Sequence, residues 1–177
     1  MALNTKKLYI YQIITNFLPA TRCFGFKAKL LRWCGANIGE NTEIFSSAKF
    51  QGGYNLTIGD HVFIGHDALI FGANGSNITI EDYAKIGSRT VIVTGSHEYS
   101  IKYPSVAGPG YYKDIKIKRG AAIDTHSIIL PGKTIGEKSH VVAGAIVTKD
   151  VPDFVRVAGI PAKIIKDFRK DDIESEK

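Results

Sequence analysis

Histidine is the residue type in this chain best suited to proton transfer, and one of its five histidines differs from the others in position. His61, His126 and His140 each lie within a regular stretch of sequence and are expected to face outward. His97 lies in VTGSHEYS, where a regular aliphatic pattern stops and a long irregular segment begins. A neutral imidazole, with an ordinary pKa of about 6.5, can accept a proton near neutral pH. We therefore predict that His97 is a catalytic general base.

The regular pattern on either side of His97 is an internal repeat of six residues. Its apolar positions, which we call anchors, are Ile38, Ile44, Phe50, Ile58, Ile64, Ile70, Ile80, Ile86, Ile92, Ile117, Ile123, Ile129, Ile135, Val141 and Val147. Four residues after an anchor the side chain is usually small, as in Ala48 and Ala121, and glycine often follows the anchor directly, as in Gly87. A period of six matches neither a helix, with a period of about 3.6, nor a flat strand, with a period of about 2.

A period of six fits a chain that is wound as a triangular prism, with three hexapeptides in each coil. Anchors then point inward, the small residue fits at a corner, and glycine permits the unusual backbone angles of the turns. Coils that stack in parallel bury a continuous aliphatic column. We predict an all-β fold, a left-handed parallel β-helix with a short N-terminal helical cap and a short C-terminal helix.

The repeat also divides the chain into segments. Residues 36–166 carry the six-residue pattern, residues 1–35 form the N-terminal helical cap, and residues 167–177 form a charged tail that includes the short helix. Inside the repeat, residues 93–116 form a loop excursion. Long loops on a regular scaffold are common places for function, so the excursion is the expected place for a site.

Two roles are open for the N-terminal helices. They can cover the open end of the β-helix, or they can make a weak contact with a membrane surface through apolar residues and cations such as Lys6, Lys7 and Arg22. The apolar run LYIYQIITNFL contains Gln12 and Asn16 and is too short to span a bilayer.

Composition and charge restrict the class of partner. The chain has 177 residues, of which 44% are hydrophobic and 23% charged, as in folded globular proteins. The net charge is +6, with lysine and arginine scattered along the chain, so we expect no nucleic-acid partner; an anionic small molecule suits this charge. Cys23 and Cys34 have no further cysteines at a metal-ligand spacing, so we expect free thiols in a reducing, cytoplasmic compartment.

Residues 36–166 resemble the hexapeptide-repeat acyltransferases. The stretch ILPGKTIGEKSHVVAGAIVTKDVPDFVRVAGIPAKIIK is similar, almost continuously, to the acetyl-CoA-binding coils of that family. VTGSHEYS resembles the stretch that carries the essential histidine in galactoside and maltose O-acetyltransferases. The resemblance implies acetyl-CoA as the donor, a carbohydrate hydroxyl as the acceptor, no metal, and a homotrimer with active sites between neighbouring β-helices.

The resemblance further implies roles for single residues. Those assigned to the cofactor are Thr125, Ala143, Gly144, Thr148, Lys149, Lys163 and Lys166. Thr125 aligns with a serine at the thioester end of the cofactor and is a candidate to stabilise the oxyanion. Ala143 and Gly144 would lie along the pantetheine. Thr148 and Lys149 would flank the later part of the pantetheine. Lys163 and Lys166 would meet the phosphates, which attract ammonium groups.

The acceptor is less well defined than the donor. On the excursion, Glu98, Tyr99 and Tyr103 offer hydrogen bonds and aromatic faces that suit a sugar. His66 falls near the position of an asparagine that helps to hold the acceptor in the galactoside enzymes. The chain departs from the family at Ala122, where a tryptophan is common, and it lacks the N-terminal signature of the maltose enzymes. We expect a cell-surface glycan or its precursor as the acceptor.

Three other functions are open. An amino-sugar or antibiotic N- or O-acetyltransferase would use the same fold and donor. A zinc enzyme like the gamma-type carbonic anhydrases would need three histidines, and although His61 and His97 have a suitable separation, the third ligand falls near Lys102. A non-catalytic scaffold is disfavoured by the loop histidine and the donor-end lysines together.

Overall fold

The computed structural model of the chain describes residues 2–170. Two helices, α1 (Thr5–Asn16) and α2 (Phe24–Trp33), precede five coils of short parallel strands. The predicted all-β fold, a parallel β-helix with an N-terminal helical cap, is confirmed.

Each coil contributes one strand to each of three faces. The first coil contains β1 (Asn37–Ile38), β2 (Glu43–Ile44) and β3 (Lys49–Gln51). The second contains β4 (Asn55–Ile58), β5 (Phe63–Ile64) and β6 (Leu69–Phe71). The third contains β7 (Asn77–Ile80), β8 (Lys85–Ile86) and β9 (Val91–Val93), and the hairpin of β10 (Gly95–Tyr99) and β11 (Ala107–Tyr112) follows it. The fourth contains β12 (Ile115–Ile117), β13 (Ala122–Ile123) and β14 (Ile128–Ile129). The fifth contains β15 (Thr134–Ile135), β16 (His140–Val141) and β17 (Ile146–Val147), before β18 (Val155–Ala158) and β19 (Lys163–Asp167).

The three faces are parallel sheets that we call A, B and C, in the order in which the chain visits them. Sheet A has the order β1-β4-β7-β12-β15, and sheet C has the order β3-β6-β9-β14-β17. Sheet B runs β2-β5-β8-β13-β16-β18-β19, and only its last pair, β18 and β19, is antiparallel. The prism therefore has three corners, A–B, B–C and C–A, which recur in every coil.

The anchors form the core of the prism. Strand register places each anchor over the next, so that Ile58 pairs with Ile80 and Ile80 pairs with Ile117. All fifteen anchors are buried, as are the small corner residues that the repeat predicts, such as Ala48 and Ala121. The aliphatic column is therefore continuous from the first coil to the fifth, and each coil stabilises its neighbours by burying their apolar side chains.

The corners correct one expectation about glycine. Unusual backbone angles do occur there, but they fall on the residue just before the small one, such as Asn41 (φ 52°) and His126 (φ 60°). The glycine after an anchor serves close packing instead, because a Cβ on Gly87 would lie 2.6 Å from the backbone nitrogen of Thr125 in the next coil. Glycine is needed at these positions because the coils approach closely. Left-handed backbone angles at the corners occur mainly at residues other than glycine.

The two helices cover the first coil, as the cap prediction requires. Leu8 and Tyr11 of α1 and Leu31 of α2 are buried at this end of the core, and the Tyr11 ring meets the edge of Phe50, with the ring centroids 6.0 Å apart. The Lys27 side chain is buried as well, and its ammonium group donates to the Ala20 carbonyl at 3.0 Å. The open end of the aliphatic column is thereby shielded from water.

The C-terminal segment differs in part from the expected helix. Up to Asp167 the chain is strand β19, because it pairs with β18 and covers the outer edge of sheet B. Helical conformation begins only at Arg169 and Lys170, and residues 171–177 of the predicted tail lie outside the described residues.

The interruptions of the repeat all leave the prism at one corner, C–A. They comprise Gly52 and Gly53 in the first coil, residues 72–76 in the second and residues 94–114 in the third. The backbone N–H of Gly53 donates to the Asn74 side chain at 3.1 Å, which joins the first insertion to the second. The insertions are therefore stacked on one another, and they form a ridge along one edge of a regular solid.

Both ends of the longest insertion are attached to the coil below. At its start, the buried Thr94 hydroxyl accepts from the Ala73 N–H at 2.8 Å and lies 2.7 Å from the Ser76 hydroxyl. At its end, the Asp114 carboxylate accepts two hydrogen bonds from Asn77, both at 2.8 Å. The excursion therefore leaves the prism from a fixed base.

We expect Thr94→Val to loosen the hairpin without unfolding the prism. Valine has the same shape but leaves the Ala73 N–H without its acceptor, and an unsatisfied buried donor costs about 1–3 kcal/mol. Amide hydrogen exchange in residues 95–112 should then become roughly tenfold faster, while exchange in the anchors stays unchanged. Thr90→Val is the matched control, because buried Thr90 bonds to the Asp124 carbonyl at the B–C corner. Equal rates of hairpin amide exchange in the Thr94 variant and the unsubstituted chain would contradict the role of Thr94 in fixing the start of the excursion.

Candidate active site

His97 lies on β10, one strand of the antiparallel hairpin that leaves the C–A corner. It is paired across the hairpin with Gly110, and the register shifts between His97 and Tyr99. Since Gly110 has no side chain, the space beside the imidazole stays open on that side. The His97 ring is exposed on a strand whose base is fixed, so the fold presents it to solvent from an ordered element.

An open groove adjoins the His97 side chain. It has a volume of about 320 Å³ and is lined by Phe71, Ala73, Gly95, Ser96, His97, Gly110, Tyr111 and Tyr112. Aromatic rings on both the prism and the hairpin give this groove a mainly apolar wall. A small molecule with an apolar face and a hydroxyl group could therefore lie against the imidazole.

The residues predicted to bind the acceptor divide into two places. Glu98, Tyr99 and Tyr103 lie on the excursion with His97, and the Tyr103 hydroxyl donates to the Glu98 carboxylate at 3.2 Å. Tyr99 is exposed. His66 lies elsewhere, at the B–C corner of the second coil, where its ring packs against Phe45 and its Nδ1 lies 3.2 Å from the Ser47 hydroxyl. Within one chain, three of these four residues share the excursion with His97 without lining the groove, and His66 lies at a different corner.

A second cleft lies at the far end of the prism. Its volume is about 350 Å³, and it is lined by Thr148, Lys149, Asp150, Val151, Pro152, Val157, Pro161, Ala162, Lys163 and Ile164. The cleft brings together three of the residues predicted to bind the cofactor, namely Thr148, Lys149 and Lys163. Lys166 follows on the same strand, opposite Arg156 of β18. This end of the molecule therefore has a cleft edged by ammonium groups, which attract phosphate.

The other predicted cofactor residues lie together at the B–C corner. The N–H of Gly144 in the fifth coil donates to the Thr125 carbonyl in the fourth coil, at 3.0 Å. A Cβ on Gly144 would meet no atom within 4 Å, so the corner is open to solvent there. Thr125, Ala143 and Gly144 thus form a short, narrow edge, separated by the width of sheet C from the corner that carries His97.

The Thr125 hydroxyl already has two partners. It donates to the Ser88 carbonyl at 2.7 Å, and it lies 2.9 Å from Nδ1 of His126, which can then donate to the threonine oxygen. The hydroxyl hydrogen is therefore engaged. To donate to an oxyanion, the Thr125 hydroxyl would have to leave Ser88, or a backbone N–H at this corner would have to take that role.

The remaining histidines take part in local contacts. His140 Nε2 donates to the Asp124 carboxylate at 2.7 Å, and its Nδ1 accepts from Arg156 at 3.0 Å, so both ring nitrogens have partners on the outer face of sheet B. His61 stacks on the Tyr83 ring, with the ring centroids 4.9 Å apart. These contacts account for the positions of the His140 and His61 rings and indicate no catalytic role for either.

Some residues of the groove were not predicted from the sequence. Phe71, Ala73 and Ser96 were missed because their proximity depends on how the hairpin folds over the second coil. One signal was available for Ala73: the insertion around it follows an anchor of the same face as the excursion does, Ile70 and Ile92 respectively. Insertions at one phase of a repeat must stack at one corner.

Two features are absent from residues 2–170, a metal-binding cluster and a membrane-spanning helix. No group of three or more histidine, cysteine, aspartate or glutamate side chains in this range is arranged to hold a metal ion. None of the helices in the same range has the length and the apolar composition needed to cross a bilayer.

Comparisons with known proteins identify relatives over most of the chain, although no family model matches the sequence. The chain is 32% identical over 145 residues to “Putative colanic acid biosynthesis acetyltransferase WcaF” of Escherichia coli (strain K12), covering 81% of this chain and 76% of WcaF. It is 32% identical over 150 residues to the galactoside O-acetyltransferase of the same organism, covering 82% of this chain and 70% of that protein.

A solved structure extends this similarity to three dimensions. AntD, an N-acyltransferase from Bacillus cereus solved with dTDP and 3-hydroxybutyryl-CoA, superposes with a TM-score of 0.67 and 26% identity over 80% of this chain and 77% of AntD. The repeat, the coils and these relatives agree. The chain belongs to the hexapeptide-repeat acyltransferases.

Proposed function

We propose that this protein is an acetyl-CoA-dependent O-acetyltransferase that acts on a hydroxyl of a carbohydrate, a cell-surface glycan or its precursor. The observation that carries the proposal is the exposed His97 imidazole on a fixed hairpin beside an open groove. The names of WcaF and galactoside O-acetyltransferase support the reaction and the class of acceptor.

The proposed chemistry is a direct transfer. The acceptor hydroxyl loses its proton to the His97 imidazole as its oxygen attacks the thioester carbonyl, forming the new C–O bond. The tetrahedral intermediate carries its negative charge on the former carbonyl oxygen, which needs an N–H or O–H donor. When the C–S bond breaks, the imidazolium returns the proton to the sulfur, and CoA leaves as a thiol. A positioned base of this kind contributes roughly 10²–10⁴ in rate.

The donor, in this proposal, extends from the B–C corner to the lysine-edged cleft. Pantetheine is a slender amide chain, and the open edge at Ala143 and Gly144 suits it. Lys163 and Lys166 would meet the phosphates, and Thr148 and Lys149 would flank the later part of pantetheine. AntD was solved with an acyl-CoA, which supports a CoA donor on this fold. The chain also has two free cysteines, which fits a reducing cytoplasm, where acetyl-CoA is available.

A second copy of the chain completes the site in this proposal. In one chain, His97 lies at the C–A corner and Thr125 at the B–C corner, on opposite edges of sheet C. From the second coil to the fifth, the outward row of sheet C is apolar, with Leu69, Val91 and Ile128 paired in register and Ile146 after them. The equivalent row of sheet A is polar, with Thr57 and Thr79. A head-to-tail ring, the proposed homotrimer, would cover the apolar row and bring one chain's hairpin to its neighbour's B–C corner.

The acceptor would occupy the groove beside His97. Glu98, Tyr99 and Tyr103 on the excursion offer the mixture of aromatic faces and hydrogen-bonding groups that sugars require. His66 could contribute only from the neighbouring chain, because it lies at a B–C corner like Thr125. The proposed binding residues thus form two sets, one from each side of the interface.

An N-acyltransferase acting on an amino sugar is the second candidate. AntD is named an N-acyltransferase and was solved with dTDP, which favours a nucleotide-linked amino sugar as the competing acceptor. Both candidates share the donor and the base. A comparison of acetyl-CoA consumption with neutral sugars, nucleotide sugars and amino sugars separates them, because an amine acceptor would yield an amide that resists mild alkali.

We expect His97→Ala to reduce turnover by at least about a hundredfold while acetyl-CoA still binds, because the variant removes the base without altering the distant cleft. Thiol release reports turnover, and calorimetric titration with acetyl-CoA reports binding. His61→Ala is the matched control, since His61 only stacks on Tyr83. Unchanged turnover in the His97 variant would remove the base from the proposal.

We expect Lys163→Glu to raise the KM for acetyl-CoA by roughly tenfold and to leave the KM for the acceptor nearly unchanged. The reversed charge repels the phosphates of the donor at an exposed site, where a lost charge-assisted hydrogen bond is worth about 1.5–3 kcal/mol. Lys85→Glu on sheet B, remote from the cleft, is the control for the change in net charge. An equal rise in both KM values would contradict a donor-specific role.

We expect Ile146→Glu to lower the mass of the assembled particle and turnover together, because a carboxylate would have to be buried in the interface at sheet C. Light scattering after size-exclusion chromatography gives the mass. Thr57→Glu makes the equivalent change on the outward row of sheet A and should alter neither quantity. A trimer that survives in the Ile146 variant would place the interface on another face.

A further inference from the structure

The N-terminal segment of this chain carries cations but no acidic residues. Lysine and arginine are scattered along the chain, but the acidic residues are not. The first 39 residues contain six of the 23 lysines and arginines and none of the 17 acidic residues, so the remaining 17 cations balance 17 acids. The helical cap and the first strand therefore carry six cations and no acids at one end of the prism.

Helix α1 has two apolar faces on opposite sides. Leu8, Tyr11 and Thr15 are buried against the first coil. On the other side, Tyr9, Ile10, Ile13 and Phe17 are 71%, 45%, 43% and 86% exposed. At 3.6 residues per turn, these four residues share one stripe, about 180° from the buried one. We call them the outer face of α1.

Exposed cations adjoin the outer face at both ends. Lys6 lies one turn before Ile10 on the same stripe, and Arg22 follows the C-terminal end of α1. Lys29 is exposed on α2. Three other cations are occupied. Lys27 is buried, Lys7 donates to the Trp33 carbonyl at 3.1 Å, and Arg32 donates to the Ile38 and Gly39 carbonyls.

The outer face is held in place by the loop that follows it. The Ala20 carbonyl accepts from Lys27 Nζ at 3.0 Å and from the Ser46 N–H at 3.2 Å, and the Ser46 hydroxyl donates to the Pro19 carbonyl at 3.0 Å. These bonds attach the turn after Phe17 to the first coil. The Phe17 ring is therefore held at the surface, and the chain need not reorder on binding.

From this arrangement we propose that the outer face of α1 docks the protein on an anionic phospholipid bilayer. Its aliphatic and aromatic side chains enter the boundary between headgroups and acyl chains, and Lys6 and Arg22 face the lipid phosphates. A second copy of the chain is a poorer occupant, because two caps with six cations and no acids would repel each other. Charge complementarity thus selects an anionic surface, and the contact is independent of the proposed transferase reaction.

The test is co-sedimentation of the full chain with vesicles. We expect binding to vesicles of equal parts phosphatidylcholine and phosphatidylglycerol, weaker binding at high salt, and little binding to phosphatidylcholine alone. The double variant Ile13→Gln/Phe17→Gln should bind the anionic vesicles at least about tenfold more weakly, since it removes apolar surface from the contact. Lys6→Gln/Arg22→Gln should weaken binding by roughly tenfold or more through the lost charges.

The matched control is Ile101→Gln/Val106→Gln. These residues are also exposed apolar side chains, 98% and 62% exposed, but they lie on the excursion, so their loss should leave vesicle binding unchanged. Equal melting temperatures verify that each variant is folded. Failure of the unsubstituted chain to pellet with anionic vesicles would overturn the proposal. So would full binding by the Ile13/Phe17 variant, or a change in its oligomeric mass, which would identify a second copy as the occupant.

Discussion

The stacking of one coil on the next is the constraint on which every other feature of this molecule depends. An anchor is buried only if the anchors above and below it keep the same register, and the register holds only if each corner turns within the same short length. Glycine after an anchor allows the close approach, and a left-handed backbone at residues such as Asn41 and His126 makes the turn. The energetic unit is therefore the pair of neighbouring coils rather than any single strand.

A solid built in this way has flat faces and offers no cleft of its own. Extra residues can be added only where they do not shift the register, which means outside a corner. Three coils add them at the same corner, and each insertion is bonded to the next, through Asn74 to Gly53 and through Thr94 to Ala73. The groove beside His97 is the space between this ridge and the outer side of Phe71. A rigid scaffold thus holds the proposed catalytic side chain on an element that is fixed at both ends.

The ends of the prism follow from the same constraint, because a column of isoleucines cannot be left open to water. At the first coil the cap closes it with Leu8, Tyr11 and Leu31, and the helix that performs this task has a second apolar face turned away from the core. At the last coil, β18 and β19 fold back and create the lysine-edged cleft. At each end of the prism, the segment that covers the core therefore also presents a surface to solvent.

Much of this protein is encoded in local patterns. The six-residue period determines the fold class, the anchors and the small corner residues, because each depends only on which side chains must be buried in every coil. The same period located the excursion and singled out His97, since an interruption is visible without knowing what it contacts. The antiparallel pairing of β19 with β18 was not visible, because residues 163–166 are exposed and carry no alternating burial pattern.

Tertiary structure alone decided which residues meet. It assembled Phe71, Ala73 and His97 into one groove, engaged the Thr125 hydroxyl with Ser88, and set His97 and Thr125 on opposite edges of sheet C. These contacts and separations involve residues from different coils and from the hairpin. The six-residue period contains no information about distances between coils. The sequence determined what each coil must be made of. Only the winding of the chain decided which corners, and so which chemical groups, lie side by side.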